Sequence, residues 1–312
     1  MLRHKSPSRL ISRLTACLTL FGALLSKRIA HPGVAIALLV VGSWAISMMA
    51  AFHFGAQSLS VWQRAAIVPW FTVLYTGLFV TGHDAMHGII APRHPRVNRA
   101  LGSLVLFLYA LIPYQKLYDA HLAHHQFPAQ RRDPDFHSSH TRHPVLWYLK
   151  FMRTYWTVKQ TIGLAIIYNG LHLAMGVPMA SLLLFCAIPS LLSSLQLFFF
   201  GTYLVHRERP NTYDTPLCAN SFYWPYLCSL LACYHFSYHR EHHAFPDVPW
   251  WQLPQVSREQ MGAYLAENTC SATATLNQAH STTANHRYAS GGKTLAKMSS
   301  PLPSRDRTRL NT

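Results

Sequence analysis

The chain has 312 residues, half of them apolar and only 12% charged, about half the charge expected of a soluble domain. Its formal charge of +16 comes without a basic run set into a nucleic-acid module, so nucleic acid is excluded as the expected partner; basic residues beside apolar runs set membrane orientation instead. Six cysteines without a C-x-x-C pair or regular spacing suggest neither a zinc ribbon nor a disulfide framework, and reduced thiols are expected.

Taken in order, the chain begins with a basic stretch that has no carboxylate before Asp84. Leu10, Leu14, Leu18, Phe21 and Leu25 recur at helical spacing beside Arg9 and Arg13, which favours a helix lying among lipid headgroups, with an organelle transit peptide as the alternative. Lys27 and Arg28 stand where a secretory cleavage site would need small residues. Gly33 to Phe52 is free of charge and long enough for a first span, which takes about 20 apolar residues. A second runs from Ala65 to about Thr81, with His83 and His87 at its exit.

Ala100 to Pro113 is apolar but short for a span. A crossing there would also put the following histidines on the wrong face, so an in-plane or re-entrant segment is expected. The polar, Pro-rich stretch after Gln126 holds His137, His140 and His143 without paired spacing, and these are expected at the surface. The uncharged run from Ile162 to Val205 allows two spans joined by a turn at Met175 to Pro178, with Pro189 kinking the second. His172 falls beside that turn, away from the other histidines. Phe222 to Leu231 is again short and is expected at the interface, with Trp250 and Trp251 as interfacial aromatics.

The pattern predicts an all-α integral membrane protein of about four transmembrane helices plus interfacial or re-entrant helices. Residues 1–30 would form the amphipathic anchor or targeting segment, 31–260 the membrane domain, and 261–312 a polar Ser/Thr-biased tail expected to be disordered. Lys5, Arg9, Lys27, Arg28, Arg93, Arg96, Lys116, Arg131, Lys150, Arg153, Arg207 and Arg240 fall on the histidine side, against essentially Arg64 on the other. The histidine face is therefore expected toward the cytoplasm or an organelle stroma.

The histidines carry the chemistry. His83 and His87 stand four apart; His121, His124 and His125 repeat the spacing of His239, His242 and His243; His206 closes a long apolar run. Residues three and four apart share a helix face, so His235 is expected on the same stripe as His239 and His242/His243. Nine imidazoles before His235 is counted exceed one ion's four to six ligands, which implies two metals. Imidazole does not choose among Fe, Zn, Cu and Ni, but neutral ligands beside a membrane suit a centre activating O2 against an apolar substrate from the lipid. Two irons could supply the electrons and oxidant for that chemistry.

HDAMH, HLAHH, FFFGTYLVHR and above all CYHFSYHREHHAFPDVPWWQLP resemble the membrane β-carotene ketolases, within the histidine-rich desaturases and hydroxylases, over about Ala65 to Pro254. The resemblance implies a di-iron oxygenase that converts the ring carbon 4 of β-carotene to a ketone, giving echinenone and canthaxanthin, or astaxanthin from zeaxanthin. It also implies O2 as co-substrate, a ferredoxin or reductase as electron donor, and His83, His87, His121, His124, His125, His206, His239, His242 and His243 as iron ligands. His235 matches the motif as an additional ligand or a partner of one. Asp84, Asp133 and Glu241 are expected to accept the non-ligating imidazole N–H, and Thr202, a turn before His206, to hold a metal-bound water. Arg240 departs from the pattern and is expected to alter substrate access. The alternatives are a carotenoid 3-hydroxylase, a fatty-acyl desaturase and, from another class, a histidine-lined metal transporter, which would need ionisable residues inside its spans.

Overall fold

The computed structural model describes residues 32–137, 142–207 and 217–260; the expected N-terminal anchor, the polar tail and His140 lie outside these. The described residues up to Arg258 belong to one unit, and the second, Glu259–Thr312, lies almost wholly beyond them. Among the described residues the regular structure is helical throughout, with no strand.

The first span is α1, Pro32–Phe54. A short connection leads to α2, Val61–Met86, whose start is fixed by a reciprocal cap: Ser60 Oγ accepts from Gln63 N at 3.3 Å and Gln63 Oε1 accepts from Ser60 N at 2.8 Å. The helix continues past the expected end of the span, so that His83 is its last buried turn and His87 its C-cap. The short apolar run forms α3, Pro95–Ala110, which turns through 102° into α4, Tyr114–Gln126. The break is a left-handed C-terminus at Leu111 (φ 55), with Ile112 N bonded to Leu106 O at 3.1 Å, and Pro113 then starts the next helix. This is the geometry expected of a re-entrant segment, and it turns the three histidines of α4 back beside those of α2.

The sequence pattern marks no element over the amphipathic helix α5, Pro144–Tyr155. It buries Trp147 fully while Val145, Leu146 and Leu149 stay exposed. α6, Val158–Met175, ends at left-handed Gly176. α7 is one long helix, Met179–His206. A π-helical turn, Leu183–Ala187, stands just before the expected kink site at Pro189, which has no N–H to donate. A second π turn, Phe199–Tyr203, resets the register just before His206. α8, Tyr226–Cys233, and α9, His239–Ala244, complete the unit.

α1, α2 and α7 are long and apolar enough to cross a membrane, and the bent α3–α4 pair would be a fourth if counted as one span. α6 reaches about 27 Å at 1.5 Å per residue, but Lys159, Gln160, Asn169 and His172 make it less apolar. It nevertheless carries the chain to the end holding the α1–α2 connection, where Ala56 N donates to Ser181 Oγ at 2.8 Å. The turn at Gly176–Pro178 thus lies beside the first loop, and His172, bonded to Val177 O at 2.9 Å, stays with it as expected.

Between the spans, Phe71, Leu78, Val105, Leu182 and Phe185 are packed dry. Lipid removes the usual hydrophobic gain from such packing, so polar contacts add specificity, at about 0.6 kcal/mol each. The Thr76 hydroxyl lies 2.7 Å from Gln196 Oε1 and 2.8 Å from Ser193 Oγ, tying α2 to α7. Gln196 Nε2 then donates to Leu231 O and Ala232 O at 2.7 Å, fixing the end of α8. Tyr234 reaches across to Val73 O at 3.1 Å because Gly77 leaves room: a Cβ there would stand 2.5 Å from the Tyr234 hydroxyl.

Candidate metal centre

The nine histidines expected as ligands come together at one end of α2, α4, α7 and α9, in two groups. His83, His87, His121, His125 and His242 each bring a ring nitrogen within 4.8 Å of the others; His124, His206, His239 and His243 form the second group by the same measure. The partition follows from helix geometry. Each pair four apart shares a face and serves one group: His83 with His87, His121 with His125, His239 with His243. The residue three along, His124 in α4 and His242 in α9, projects to the other group, because neighbouring side chains diverge by about 100° at 3.6 residues per turn. The two HH dipeptides therefore straddle both groups. The inequality of five and four arises because α2 gives a pair and α7 gives His206 alone.

Their Nε2 atoms face one another at contact distance. His121 Nε2 lies 2.8 Å from His87 Nε2 and 3.1 Å from His125 Nε2, and His125 Nε2 lies 3.0 Å from His242 Nε2. In the second group His243 Nε2 is 3.1 Å from both His124 and His239 Nε2. Several rings commit their other nitrogen as donor. His124 Nδ1 donates to the Asp133 carboxylate at 3.0 Å, His83 Nδ1 to Asp84 at 3.2 Å, and His206 Nδ1 to Cys218 O at 2.8 Å. Each of these leaves an Nε2 lone pair aimed inward, and the Nε2 atoms of His83 and His206 are buried without a protein donor. Burial, then repulsion among the clustered rings, pushes His239, His242 and His243 well below the usual imidazole range, and burial lowers His87 to about 4. Neutral lone pairs crowded together in this way repel, and a shared cation turns the same arrangement into a ligand sphere. The residues fit two metal ions.

The supporting acids divide. Asp133 and Asp84 bond imidazoles of the two groups, and Asp84 also receives the backbone N–H of Trp250 at 3.4 Å. Glu241 does not touch a ligand-group ring: its carboxylate accepts from Ser221, from Tyr223 at 3.1 Å and from Ser257 at 3.0 Å. It points to the opposite side of α9 and pins the preceding segment. Arg240 lies with it, 2.6 Å from the Tyr223 hydroxyl, and does not line the cavities described below. His235 joins neither group. α8 ends before it, Tyr234 and His235 are both left-handed (φ 48 and 63), and its ring packs on Tyr226 with Nδ1 3.0 Å from Ser229 Oγ. The helical stripe assumed for His235 does not exist. His137 is half-buried against Trp147 rather than at the surface, while His143 is exposed.

A small cavity of about 60 Å³ opens on both groups, lined by His83, His121, His124, His239, Asp135 and the expected Thr202. A much larger one, about 800 Å³, adjoins it between α3, α5, α6 and α7. Both share Phe79, Leu117, Phe151, Tyr155 and Leu197, which form the neck between them. The sequence pattern shows neither this neck nor a role for Asp135, which accepts from the Tyr155 hydroxyl; the aromatic run in α5 is the available signal. The spans meet one another through hydroxyls and an amide, with the imidazoles gathered at one end, which does not suit the transporter alternative.

The chain matches the model of the fatty acid desaturase family over residues 60–174 and 151–272, and it belongs to that family of oxidoreductases. Within it the resemblance is to ketolases. It is 42% identical over 186 residues to a β-carotene ketolase of a Paracoccus species, covering 59% of this chain and 75% of that protein. It is 37% identical over 254 residues to one from Haematococcus lacustris, covering 72% and 79%. A zeaxanthin 4-ketolase of Chlamydomonas reinhardtii is 40% identical over 232 residues, 73% of this chain; the chain spans about half, 52%, of that longer protein.

Proposed function

We propose that this chain is a β-carotene 4-ketolase that uses two iron ions and O2 to convert the C4 methylene of a β-ionone ring to a ketone. The observation that carries this reading is a large apolar cavity that shares five lining residues with the small cavity opening on the paired histidine groups. Supporting it are the ketolase relatives. Bound iron would supply the centre at which O2 is reduced and a C–H bond oxidised.

The protein's own residues bind and orient. Polar groups in the large cavity are already bonded to protein: Tyr109 donates to Ser190 O at 3.3 Å, Gln160 Nε2 to Ala110 O at 3.2 Å, and Ser194 pairs with Tyr148 at 2.7 Å. The wall thus presents a hydrocarbon surface to a hydrocarbon ligand. An acyl carrier headgroup would call for several charged contacts, whereas Arg153 is the charged residue in this lining. The neck, with Phe79 and Phe151 among its walls, admits one edge of a ring toward the small cavity and excludes water behind it. Asp133, Asp84 and Cys218 O hold His124, His83 and His206 in the tautomer that offers Nε2.

Each hydroxylation consumes one O2, two electrons and two protons and releases water; the second gives a gem-diol that dehydrates to the ketone. The products would be echinenone and canthaxanthin, or astaxanthin from zeaxanthin, and the electrons would come from a ferredoxin or reductase. The basic residues on the histidine side support a site facing the cytoplasm or stroma. Pigment analysis of a β-carotene-producing host tests the reading. A ketolase adds one oxygen and removes two hydrogens per ring, with spectral broadening; a hydroxylase adds oxygen alone. Unchanged β-carotene beside folded, iron-loaded protein contradicts it.

A further inference from the structure

Three side chains of α5 hold one short loop, two of them by its backbone. Trp147 Nε1 donates to Asp135 O at 2.7 Å, Lys150 Nζ donates to Pro134 O at 3.0 Å and also to Phe136 O, and the Tyr155 hydroxyl donates to the Asp135 carboxylate. The loop they hold contains Asp133. Its carboxylate is bound on every side, by Ala129 N at 3.0 Å, by Asp135 N at 2.9 Å and by His124 Nδ1 at 3.0 Å. Trp147 is fully buried and Asp133 nearly so. An unbroken chain of contacts therefore runs from α5 to one imidazole, His124, the sole contribution of α4 to the four-histidine group. Trp147 also packs on Tyr203 of α7, but the other members of that group have anchors of their own. His206 is braced by Cys218 O, and His239 and His243 sit a turn apart on α9.

We infer that α5 is a positioning clamp for the four-histidine metal site, with Lys150 as its central residue and Asp133 as the link to His124. This rests on the two-iron reading above. Lys150 is the residue that spans the loop, since its ammonium group gathers the carbonyls on either side of Asp135. Without it those carbonyls lose a charged donor, the Asp133 carboxylate gains freedom to rotate, and His124 loses its fixed direction. The five-histidine group takes nothing from this loop, because its α4 members, His121 and His125, project to the other side. The same helix supplies Phe151 and Tyr155 to the neck, so the clamp and the substrate wall are one element.

The test is anaerobic Fe(II) titration of the purified full-length apo-protein in lipid nanodiscs, read as iron bound per chain. Wild type should take up two irons. Lys150→Met should bind one as wild type does and the other about 10- to 100-fold more weakly, the range seen when an outer partner of a metal-ligating histidine is lost. Lys150→Arg, which keeps a cationic donor, should restore most of that loss. Asp133→Ala should give the same one-site defect, and adding Lys150→Met to it should weaken binding little further, since both act on His124. Lys116→Met, an exposed lysine on α4, should bind two irons normally. Normal uptake of both irons by Lys150→Met overturns the clamp alone, and so does equal weakening at both sites, which would mean a general loss of fold. A folded wild-type chain that binds no iron overturns the two-iron reading and the clamp with it.

Discussion

At the scale of the residue, the nine imidazoles do not contribute interchangeably. His242 belongs to the five-histidine group although its neighbour His243 belongs to the four. His242→Ala should therefore abolish turnover and lower bound iron by about one per chain, whereas exposed His143→Ala should change neither. Metal analysis with a pigment assay decides this; full activity in His242→Ala would break the assignment. Glu241 offers the opposite case. It is fully buried and accepts from Ser221, Tyr223 and Ser257 but from no imidazole. Glu241→Ala should thus cost about 1–3 kcal/mol of stability by stranding its donors, seen as a lower melting temperature, while the iron content of the folded fraction is kept. That these nine histidines gather was legible in the sequence, eight from their spacing and His206 from its place at the end of an apolar run. Their pairing at four apart was legible too, but which group each pair serves was not, since that depends on how α4 and α9 are rotated against α2. His235 misled because spacing alone cannot reveal two consecutive left-handed residues, Tyr234 and His235, between α8 and α9.

At the scale of the element, the re-entrant α3–α4 hairpin delivers three ligand-group histidines, and one glycine permits its packing. A Cβ on Gly102 would stand 2.3 Å from the Tyr114 ring and 2.9 Å from Ala85 Cβ, and Tyr114 itself is held on Ala85 O at 3.1 Å. Gly102→Ala should push α4 away from α2, at a cost of about 1–3 kcal/mol, and reduce iron binding at both groups, because α4 feeds both. Tyr114→Leu in the same chain should recover part of that loss by vacating the contact. The turn was legible because a short apolar run that must keep its histidines on one face has to fold back. α5 was not, since its amphipathic pattern is short and follows a Pro-rich stretch. The π turn before Pro189 was hidden as well, for a proline in sequence announces only a missing donor and not how the helix absorbs it.

At the scale of the whole molecule, the apolar runs and their limits gave the order of the spans, and the structure adds their relation. The connection after α1 and the first turn of α7 meet through Ala56 and Ser181 at the end away from the imidazoles. In a cysteine-free background, Ser58→Cys and Met175→Cys should be labelled from one side of a sealed vesicle and Lys116→Cys from the other. Labelling of all three from the same side would contradict the arrangement. The two groups also differ in shelter: His87, His121 and His125 are half-buried, while all members of the four-histidine group are buried. A hydrophilic chelator should accordingly remove one iron quickly and the second much more slowly, and loss of both in a single phase would count against two unequal sites.

The central claim is oxidation of the methylene carbon that the neck admits to the paired histidine groups. Its most direct test is turnover of β-carotene carrying deuterium at both ring C4 positions by the purified, iron-loaded chain with O2 and a reductant, followed by mass spectrometry. Every oxidised ring should gain one oxygen and lose both deuterium atoms. An oxidised product that keeps both deuterium atoms on each ring would place the chemistry at another carbon and contradict it.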